Sequence, residues 1–279
     1  MSATRVALVT GASRGVGQGI AVGLAESGWT IHVTSRDTDR LVTTLERIEA
    51  AGGVGIGHAC EHTDDADIDR VVADVWDAAG RIDLLVNNAW AGPRMNHAHP
   101  ERFWERPRSD WETLIGVGLR AHWSASHAVA PLMVGQGSGV IVNVSSIGAR
   151  AYLHSVLYGI SKAGLDKMTF DMAAELQPFG VSAVSLWPGL VRTEQLLASG
   201  VRDIAGVPVD DAETPELQGR VLAALLADPA LAERTGTAVI TAELAAEYGL
   251  TEPGGARPVS PRLMFGGGPL YDPLPALPG

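Results

Sequence analysis

Cysteine, lysine and long apolar runs are all scarce in this sequence. Cys60 is the one cysteine among 279 residues, which excludes an internal disulfide and a cysteine-rich zinc site and is typical of a reducing cytosol. No uninterrupted apolar run approaches the roughly 18 residues that a membrane-spanning helix requires. A strand-like segment begins almost at the N-terminus, so we expect no signal peptide. The sequence therefore predicts a cytoplasmic protein without a membrane segment.

Positive charge is scarce as well. The formal net charge is −11, from 21 lysines and arginines against 32 acidic residues. Neutralising the phosphates of DNA or RNA requires clustered cations, so this balance argues against a nucleic-acid partner. The length of 279 residues is sufficient for one complete α/β core. These properties favour a soluble cytosolic enzyme.

Lysine is the rarest basic residue, and one of the lysines lies in a short motif. Lys162 and Lys167 stand against 19 arginines, and Lys162 follows Tyr158 by four positions. On a helix this spacing puts both side chains on one face, where an ammonium group can favour the phenolate and lower the tyrosine pKa. Such a tyrosine could exchange a proton near neutral pH. The alternative is a partly buried tyrosine beside a solvated lysine, and the pair alone does not decide between them.

A glycine-rich turn follows the first strand-like segment. Residues 6–9 are apolar, residues 10–17 read TGASRGVG, and a helix-like segment follows. In a strand–turn–helix unit, backbone N–H groups and the helix N-terminus can hold a pyrophosphate. The spacing G-x-x-x-G-x-G differs from the G-x-G-x-x-G fingerprint, and glycines also serve ordinary tight turns. Together, the turn and the tyrosine–lysine pair indicate a nucleotide-dependent enzyme.

Strand-like and helix-like segments alternate along most of the chain. Strands are predicted at residues 5–10, 30–35, 53–59, 82–87, 139–145, 181–187 and 235–240. Helices are predicted near residues 15–27, 38–51, 64–80, 109–134, 155–177 and 212–228. This alternation implies βαβ units. We predict an α/β fold in which residues 1–250 form one Rossmann-like domain, a doubly wound parallel sheet of about seven strands with helices on both faces.

Three regions fall outside the regular alternation. Residues 89–110 are rich in aromatic residues and proline and are predicted to form a substrate loop, and residues 192–212 are predicted to form a second one. His97 and His99 could suggest a metal, but no carboxylate pattern supports one, so we predict no metal site. Residues 251–279 contain 7 prolines and 6 glycines and are predicted to be an extended arm or a disordered tail, unless they pack against a neighbouring subunit.

Several motifs, taken in order, resemble the short-chain dehydrogenase/reductase family. They are the glycine turn at 10–17, Asn87-Asn88-Ala89, Ser145-Ser146, Tyr158-x-x-x-Lys162, and Pro188-Gly189 with Thr193. The resemblance extends to about residue 250. Segments such as 117–120 and 185–189 look like the branch called dehydrogenase/reductase member 1.

The resemblance implies hydride transfer between a nicotinamide and a carbonyl or alcohol. Tyr158 would be the acid in reduction and the base in oxidation, and Lys162 would bind the nicotinamide ribose and lower the tyrosine pKa. Ser146 would hold the substrate oxygen, with Ser145 as the alternative because Ser146 lies 12 residues before Tyr158. The implied cofactor contacts are Gly11, Ser13, Arg14, Gly15, Val16, Gly17, Arg36, Glu61, Asn88, Ala89, Tyr158, Lys162, Pro188, Gly189, Val191 and Thr193.

The sequence departs from the family pattern at three positions. Gly118 stands where the family often has an asparagine that supports a water relay to the lysine, so we expect a catalytic set of three residues. Trp90 follows Ala89 where the family has glycine, which puts a bulky ring near the site. Glu61 stands at the adenine contact where aspartate is usual. Each departure makes the details of substrate and cofactor less transferable.

Two arginines indicate the cofactor. Arg14 and Arg36 lie where a nucleotide 2′-phosphate would sit, and planar guanidinium groups suit phosphate, so we predict NADP(H). Asp37 comes one residue too late for the ribose contact that favours NAD. The alternative is two solvated arginines.

The substrate and the assembly are predicted only in outline. Four side chains are expected to line a pocket for a bulky apolar carbonyl compound, or else to be plain packing: Trp90, Trp104, His154 and Trp187. The family implies a homo-oligomer, a dimer or tetramer, built on the helices at 109–134 and 155–177. Small residues there would permit close approach: Ala125, Ala128, Gly164, Ala173 and Ala174. Two other functions stay open, a reductase of another activated double bond and a nucleotide-binding sensor or scaffold without turnover.

Overall fold

The computed structural model describes residues 4–92, 102–204 and 206–265. Its strands are β1 Val6–Val9, β2 Thr30–Ser35, β3 Val54–Ala59, β4 Leu84–Asn87, β5 Gly139–Val144, β6 Val181–Trp187, β7 Asp203–Ile204, β8 Val207–Pro208 and β9 Ala238–Ile240. Seven of them form a central sheet in the order β3-β2-β1-β4-β5-β6-β9, and all neighbouring strands are parallel. A two-stranded antiparallel hairpin, β7-β8, lies outside this sheet.

Helices cover both faces of this sheet. They are α1 Gly15–Ala25, α2 Val42–Ala50, α3 Asp65–Ala79, α4 Ala121–Gln136, α5 Val156–Leu176, α6 Glu194–Ala198, α7 Pro215–Ala227, α8 Thr241–Glu247 and α9 Pro261–Phe265. A π-helical segment, Glu112–Arg120, leads directly into α4. Short 3-10 turns lie at Thr38–Leu41, Ile147–Ala149, Gln177–Phe179, Val209–Asp211 and Leu231–Arg234. The predicted doubly wound parallel fold of about seven strands is confirmed.

The period-two pattern of the strands builds a separate hydrophobic core on each face of the sheet. In β1, Ala7 and Val9 join the cluster beneath α1 and α7, whereas Val6 and Leu8 join the cluster beneath α3 and α4. Alternate side chains of a strand point to opposite faces, so one apolar run serves both cores. All four residues of β1 are buried, as expected for a central parallel strand.

Close contact between α1 and α7 depends on glycine. A Cβ on Gly19 would lie 2.1 Å from the Pro215 carbonyl carbon, and one on Gly23 would lie 2.4 Å from the Glu216 oxygen. A side chain at either position would push the helices apart. This contact keeps the start of α7 close to the glycine turn that precedes α1.

The regions outside the alternation contain structure that the sequence did not predict. Residues 192–212 include α6, the β7-β8 hairpin and a 3-10 turn. Residues 93–101 of the first substrate loop, with His97 and His99, lie outside the described residues, as do residues 266–279 of the arm. Within the described part of the arm, Glu252 is buried and accepts hydrogen bonds from the Thr214 N–H and hydroxyl, both at 2.7 Å.

The small residues proposed for subunit contacts are mostly internal. Ala125, Ala173 and Ala174 are buried inside the protomer, and a Cβ on Gly164 would lie 2.7 Å from Leu119. The prediction that these alanines form an outer face is therefore wrong, because α4 and α5 turn them inward. Ala128 is half-buried. None of the described helices combines the length and hydrophobicity that crossing a membrane requires.

Candidate active site

The predicted site residues collect at the carboxyl edge of the sheet. The glycine turn follows β1, Asn88 and Ala89 follow β4, Ser145 and Ser146 follow β5, and Pro188 follows β6. Strands β1 and β4 are neighbours at the point where the strand order reverses. Crevices at such a point are where open α/β sheets bind ligands.

Tyr158 and Ser146 are in direct contact. The Tyr158 hydroxyl donates to Ser146 Oγ at 2.9 Å, and the Gly148 N–H donates to the same oxygen at 3.0 Å. Ser145 instead donates to the Lys162 carbonyl at 3.1 Å and is buried. Ser155 caps α5 by accepting from the Tyr158 N–H at 3.2 Å, which fixes the first turn of the helix that carries the tyrosine. The structure therefore brings Ser146, and not Ser145, to the tyrosine hydroxyl.

Lys162 lies on the same face of α5 but is held by the backbone. Its ammonium group donates to the Val144 carbonyl at 2.8 Å, and Nζ lies 5.8 Å from the centre of the Tyr158 ring. Burial lowers the pKa of Lys162 to about 8, and Asp166 partly opposes that shift.

The pKa of Tyr158 differs from the expectation. Burial raises the pKa of Tyr158 above its ordinary value, and the hydrogen bond with Ser146 offsets part of that rise. The prediction that Lys162 lowers this pKa is wrong for this arrangement. Desolvation of the phenolate is the largest effect, and the ammonium group is engaged by Val144.

Two rings flank the Tyr158 ring edge-on. Trp90 contacts it with ring centroids 6.3 Å apart and His154 with centroids 4.8 Å apart. His154 has φ of 60°, which is uncommon for a residue other than glycine. Gly118 makes room for Trp90, because a Cβ there would lie 3.2 Å from Trp90 Cδ1. The unusual Trp90 and the missing asparagine side chain at position 118 are thus spatially linked.

The other two aromatic residues expected in the pocket differ from these. Trp187 is buried in a cluster with Ile147 and Ile240, and its indole N–H lies 3.1 Å and 3.2 Å from the two Asp166 carboxylate oxygens. Trp187 is therefore a core residue, and its prediction as a pocket wall is wrong. Trp104 is exposed and packs edge-on against Phe103.

The glycine turn is held by Asn88 and Thr10. The Asn88 amide donates to the Thr10 and Gly11 carbonyls at 2.9 Å and 3.0 Å. Thr10 Oγ1 accepts from the Asn88 and Ala89 N–H groups at 2.9 Å and 3.0 Å. Gly11 has φ of +64°, and a Cβ there would lie 2.7 Å from Ala89 Cα, so glycine is required. These bonds join the turns after β1 and β4 into one rigid unit.

The start of α1 is built to hold an anion. The Gly15 N–H donates to a Glu194 carboxylate oxygen at 3.1 Å, and this contact joins α6 to the glycine turn. A carboxylate at the N-terminus of a helix is the same kind of partner as a phosphate oxygen. Ser13 and Val16 are half-buried in the turn, and Gly17 is buried beside Asn88. The residues present therefore fit a nucleotide pyrophosphate.

The predicted adenosine contacts lie next to this turn. Arg14, at the N-cap of α1, and Arg36, directly after β2, are both exposed. Asp37 caps the following 3-10 turn by accepting from the Asp39 N–H at 3.0 Å and lies 3.8 Å from Arg40. The Glu61 carboxylate accepts from the Thr63 hydroxyl at 3.0 Å and is exposed. The Asp37 carboxylate therefore caps the next turn, while the two guanidinium groups face solvent.

The loop after β6 is held by a residue that no motif predicts. The Gly189 N–H donates to Glu213 Oε2 at 3.0 Å, and Val191 pairs with Glu213 as a parallel bridge. Thr193 accepts from the Leu196 N–H at 3.3 Å and caps α6. Glu213 lies 24 residues from Gly189, so no local pattern could have found it.

Comparisons with known proteins show which family the chain resembles. A family model described as short chain dehydrogenase matches residues 5–200. The human protein named Dehydrogenase/reductase SDR family member 1 is 38% identical over 272 residues, which cover 94% of this chain and 87% of that protein. The resemblance predicted from the motifs is confirmed by both findings.

Solved structures share the fold. A metagenomic short-chain oxidoreductase crystallised in complex with NADP is 32% identical, with a TM-score of 0.66 over 81% of this chain and 92% of that chain. A 7α-hydroxysteroid dehydrogenase complexed with NADH and 7-oxo glycochenodeoxycholic acid is 23% identical, with a TM-score of 0.73 over 85% of this chain and 92% of that chain. The second likeness supports the fold alone.

Proposed function

The chain belongs to the short-chain dehydrogenase/reductase family of oxidoreductases, and from this premise we propose that it transfers hydride between NADP(H) and a carbonyl group or secondary alcohol. The observation that carries the proposal is the 2.9 Å hydrogen bond between Tyr158 and Ser146, beside Lys162 at the carboxyl edge of the sheet. A donor pair of this kind can hold a substrate oxygen where negative charge develops during the reaction.

The nicotinamide supplies or accepts the hydride when it is bound. In reduction, Ser146 and Tyr158 hold the carbonyl oxygen while the carbonyl carbon gains the hydride, and Tyr158 gives its hydroxyl proton to that oxygen. Solvent then reprotonates the phenolate. Oxidation of the alcohol is the reverse sequence, with Tyr158 as the base.

The protonation states at neutral pH are those that reduction requires. The Tyr158 hydroxyl is protonated, since burial holds its pKa above the ordinary value, and it is therefore in the state of an acid. The pKa of Lys162, lowered to about 8, leaves most of its population charged at neutral pH. A charged Lys162 is a hydrogen-bond donor that can bind the nicotinamide ribose.

The preference for NADP(H) is supported by Arg14 and Arg36. Both are exposed beside the glycine turn, where the 2′-phosphate of the adenosine would lie in this proposal. Guanidinium groups form charge-assisted hydrogen bonds with phosphate. Asp37 comes one residue after Arg36, and its carboxylate caps the following 3-10 turn by accepting from the Asp39 N–H.

The substrate we propose is a bulky apolar carbonyl compound. Trp90 and His154 flank Tyr158, and Trp90 is 40% exposed, so its ring is available to a ligand. Aromatic walls with a few polar groups are typical of small-molecule sites. The cytoplasmic location expected from the sequence is part of this proposal.

A homo-oligomer also belongs to the proposal. Trp123 on α4, and Val156 and Ile160 on α5, are exposed apolar side chains. Pairing these helices with a second copy would cover them, and closed symmetric assemblies are common among soluble enzymes. Light scattering at micromolar protein concentration should give a dimer or tetramer, and a monomeric mass would count against the assembly only.

The test of function is a panel of aldehydes and ketones assayed with NADPH and with NADH. We expect oxidation of NADPH that depends on a ketone or aldehyde and yields the alcohol, identified by mass spectrometry. Saturation of a conjugated C=C bond with the carbonyl retained would identify a reductase of that bond. Tight NADPH binding without turnover over the whole panel would favour the sensor function.

A further inference from the structure

Glu213 is a fully buried carboxylate that the proposed chemistry does not use. It is 1% exposed and immediately precedes the Thr214 N-cap of α7. One carboxylate oxygen, Oε1, has no hydrogen-bond partner among the described residues. Burying a carboxylate is costly, so a residue of this kind needs hydrogen bonds that offset the loss of water.

The hydrogen bonds of Glu213 go to consecutive residues of the loop after β6. Its carboxylate accepts from the Gly189 N–H at 3.0 Å, its own N–H donates to the Leu190 carbonyl at 2.7 Å, and its carbonyl accepts from the Arg192 N–H at 2.8 Å. Glu213 thus forms hydrogen bonds with three of the four residues from Gly189 to Arg192. The other carboxylate oxygen also faces the loop, since a Cβ on Gly189 would lie 2.7 Å from it.

On the side away from the loop, the Glu213 carboxylate is hydrogen-bonded to a buried side chain of the core. The Gln218 amide of α7 donates at 2.6 Å to Glu213 Oε2, the oxygen that also accepts from the Gly189 N–H. Gln218 in turn accepts from the Thr241 hydroxyl at the start of α8. Both Gln218 and Thr241 are fully buried. Because α7 packs tightly on the glycines of α1, the loop is connected through Glu213 to the helix that begins at the glycine turn.

We propose that Glu213 is a positioning residue that holds the Gly189–Arg192 segment in place for the nicotinamide end of the cofactor. The inference rests on the proposed function and on the resemblance, which implies cofactor contacts at Gly189 and Val191; this loop follows β6, the neighbour of the strand that leads to Ser146. Glu213 itself is placed in contact with neither cofactor nor substrate. Its bond to Gly189 pre-orders a loop that the cofactor would otherwise have to order on binding.

The test compares two ligands that differ in the nicotinamide. Isothermal titration calorimetry would measure NADPH and 2′-phospho-ADP-ribose, which lacks the nicotinamide ring, on wild type and on Glu213→Ala. We expect Glu213→Ala to weaken NADPH binding by about tenfold or more, from loss of the hydrogen bond that orders Gly189. Binding of 2′-phospho-ADP-ribose should change by less than about threefold, because the glycine turn and Arg36 are untouched.

Two further variants separate positioning from general loss of structure. Glu216→Ala breaks the ion pair with Arg47 at the same end of α7 but leaves the Gly189 bond, so it should leave both affinities unchanged. Glu213→Gln keeps the volume and one acceptor oxygen, so its NADPH affinity should lie between those of wild type and Glu213→Ala. If Glu213→Ala does not fold, Glu213→Gln is judged by the same ratio of affinities.

The outcomes are distinct. An equal loss of affinity for both ligands would show that Glu213 has only a structural role and would overturn the inference. Unchanged NADPH affinity in a folded Glu213→Ala would overturn it as well. If wild type binds neither NADPH nor NADH, the proposed function itself fails, and the inference fails with it. If wild type prefers NADH, the same comparison is made with NADH and ADP-ribose.

Discussion

Adding one methyl group at Gly118 should destabilise the protein, whereas the same change two residues earlier should stabilise it. Both glycines lie in the π-helical segment Glu112–Arg120. A Cβ on Gly118 would lie 3.0 Å from Ser161 Oγ and 3.2 Å from Trp90 Cδ1. No described atom lies within 4 Å of a Cβ on Gly116, which makes Gly116→Ala the matched control.

The magnitudes follow from two opposing effects. Replacing glycine by alanine within a helix stabilises it by about 1 kcal/mol. Forcing a methyl group into packed surroundings costs typically about 1–3 kcal/mol. Gly116→Ala should therefore stabilise the protein by roughly 0.5–1 kcal/mol. Gly118→Ala should destabilise it by up to about 2 kcal/mol, because Ser161 is buried and its hydroxyl is bonded to the Gly118 carbonyl at 3.2 Å.

Trp90 should account for part of this cost. In a Trp90→Ala background the ring is absent, so Gly118→Ala should cost at least about 0.5 kcal/mol less than in wild type. The Trp90 ring also packs edge-on against Tyr158, so its displacement in Gly118→Ala should lower kcat as well. This makes the pair a functional unit as well as a packing contact.

The assay is equilibrium unfolding in urea without ligand for all four variants, with stability read from the midpoint at constant slope. Steady-state kinetics on the best substrate of the panel would follow. Two results would refute the reasoning: equal stabilisation by Gly118→Ala and Gly116→Ala, or additivity of Gly118→Ala and Trp90→Ala within about 0.3 kcal/mol.

Three other predictions concern the acid role proposed for Tyr158, the cofactor and pH. Tyr158→Phe should lower kcat by about 10²–10⁴ while NADPH affinity stays within about twofold, and more than about a tenth of wild-type kcat would rule out the acid role. Arg36→Asp should weaken NADPH binding by roughly 10- to 150-fold and leave NADH nearly unchanged, and equal NADPH titrations would make Arg36 a surface charge. Burial, reinforced by Glu252, raises the pKa of Glu213 from 4.5 to about 7, so the folded state binds the Glu213 proton more tightly than the unfolded chain does. The contribution of Glu213 protonation to the free energy of unfolding, roughly 3 kcal/mol, is complete below about pH 4.5 and is lost as the pH rises through about 7. Unfolding free energies at about pH 5 and about pH 8 should differ less in Glu213→Gln than in wild type, and equal differences would exclude this group.

The local sequence pattern was sufficient to predict the fold and the main chemical motif. Alternating strands and helices predicted the parallel sheet because burial on both faces imposes apolar strands, and glycine marked the turn after β1 because Gly11 needs φ of +64°. The spacing of Tyr158 and Lys162 placed them on one face of α5 because helical periodicity is a short-range property.

Tertiary structure decided everything that depends on contacts between distant segments or on burial. Ser146 rather than Ser145 meets Tyr158 because the loop after β5 presents the Ser146 hydroxyl to the tyrosine hydroxyl, whereas the Ser145 hydroxyl donates to the backbone carbonyl of Lys162 in α5. The direction of the Tyr158 pKa follows from desolvation, which a sequence pattern does not express. Glu213 reaches Gly189 only because α7 packs back on α1. Spacing along the chain records which side chains share a face of one element, whereas these contacts depend on how separate elements pack.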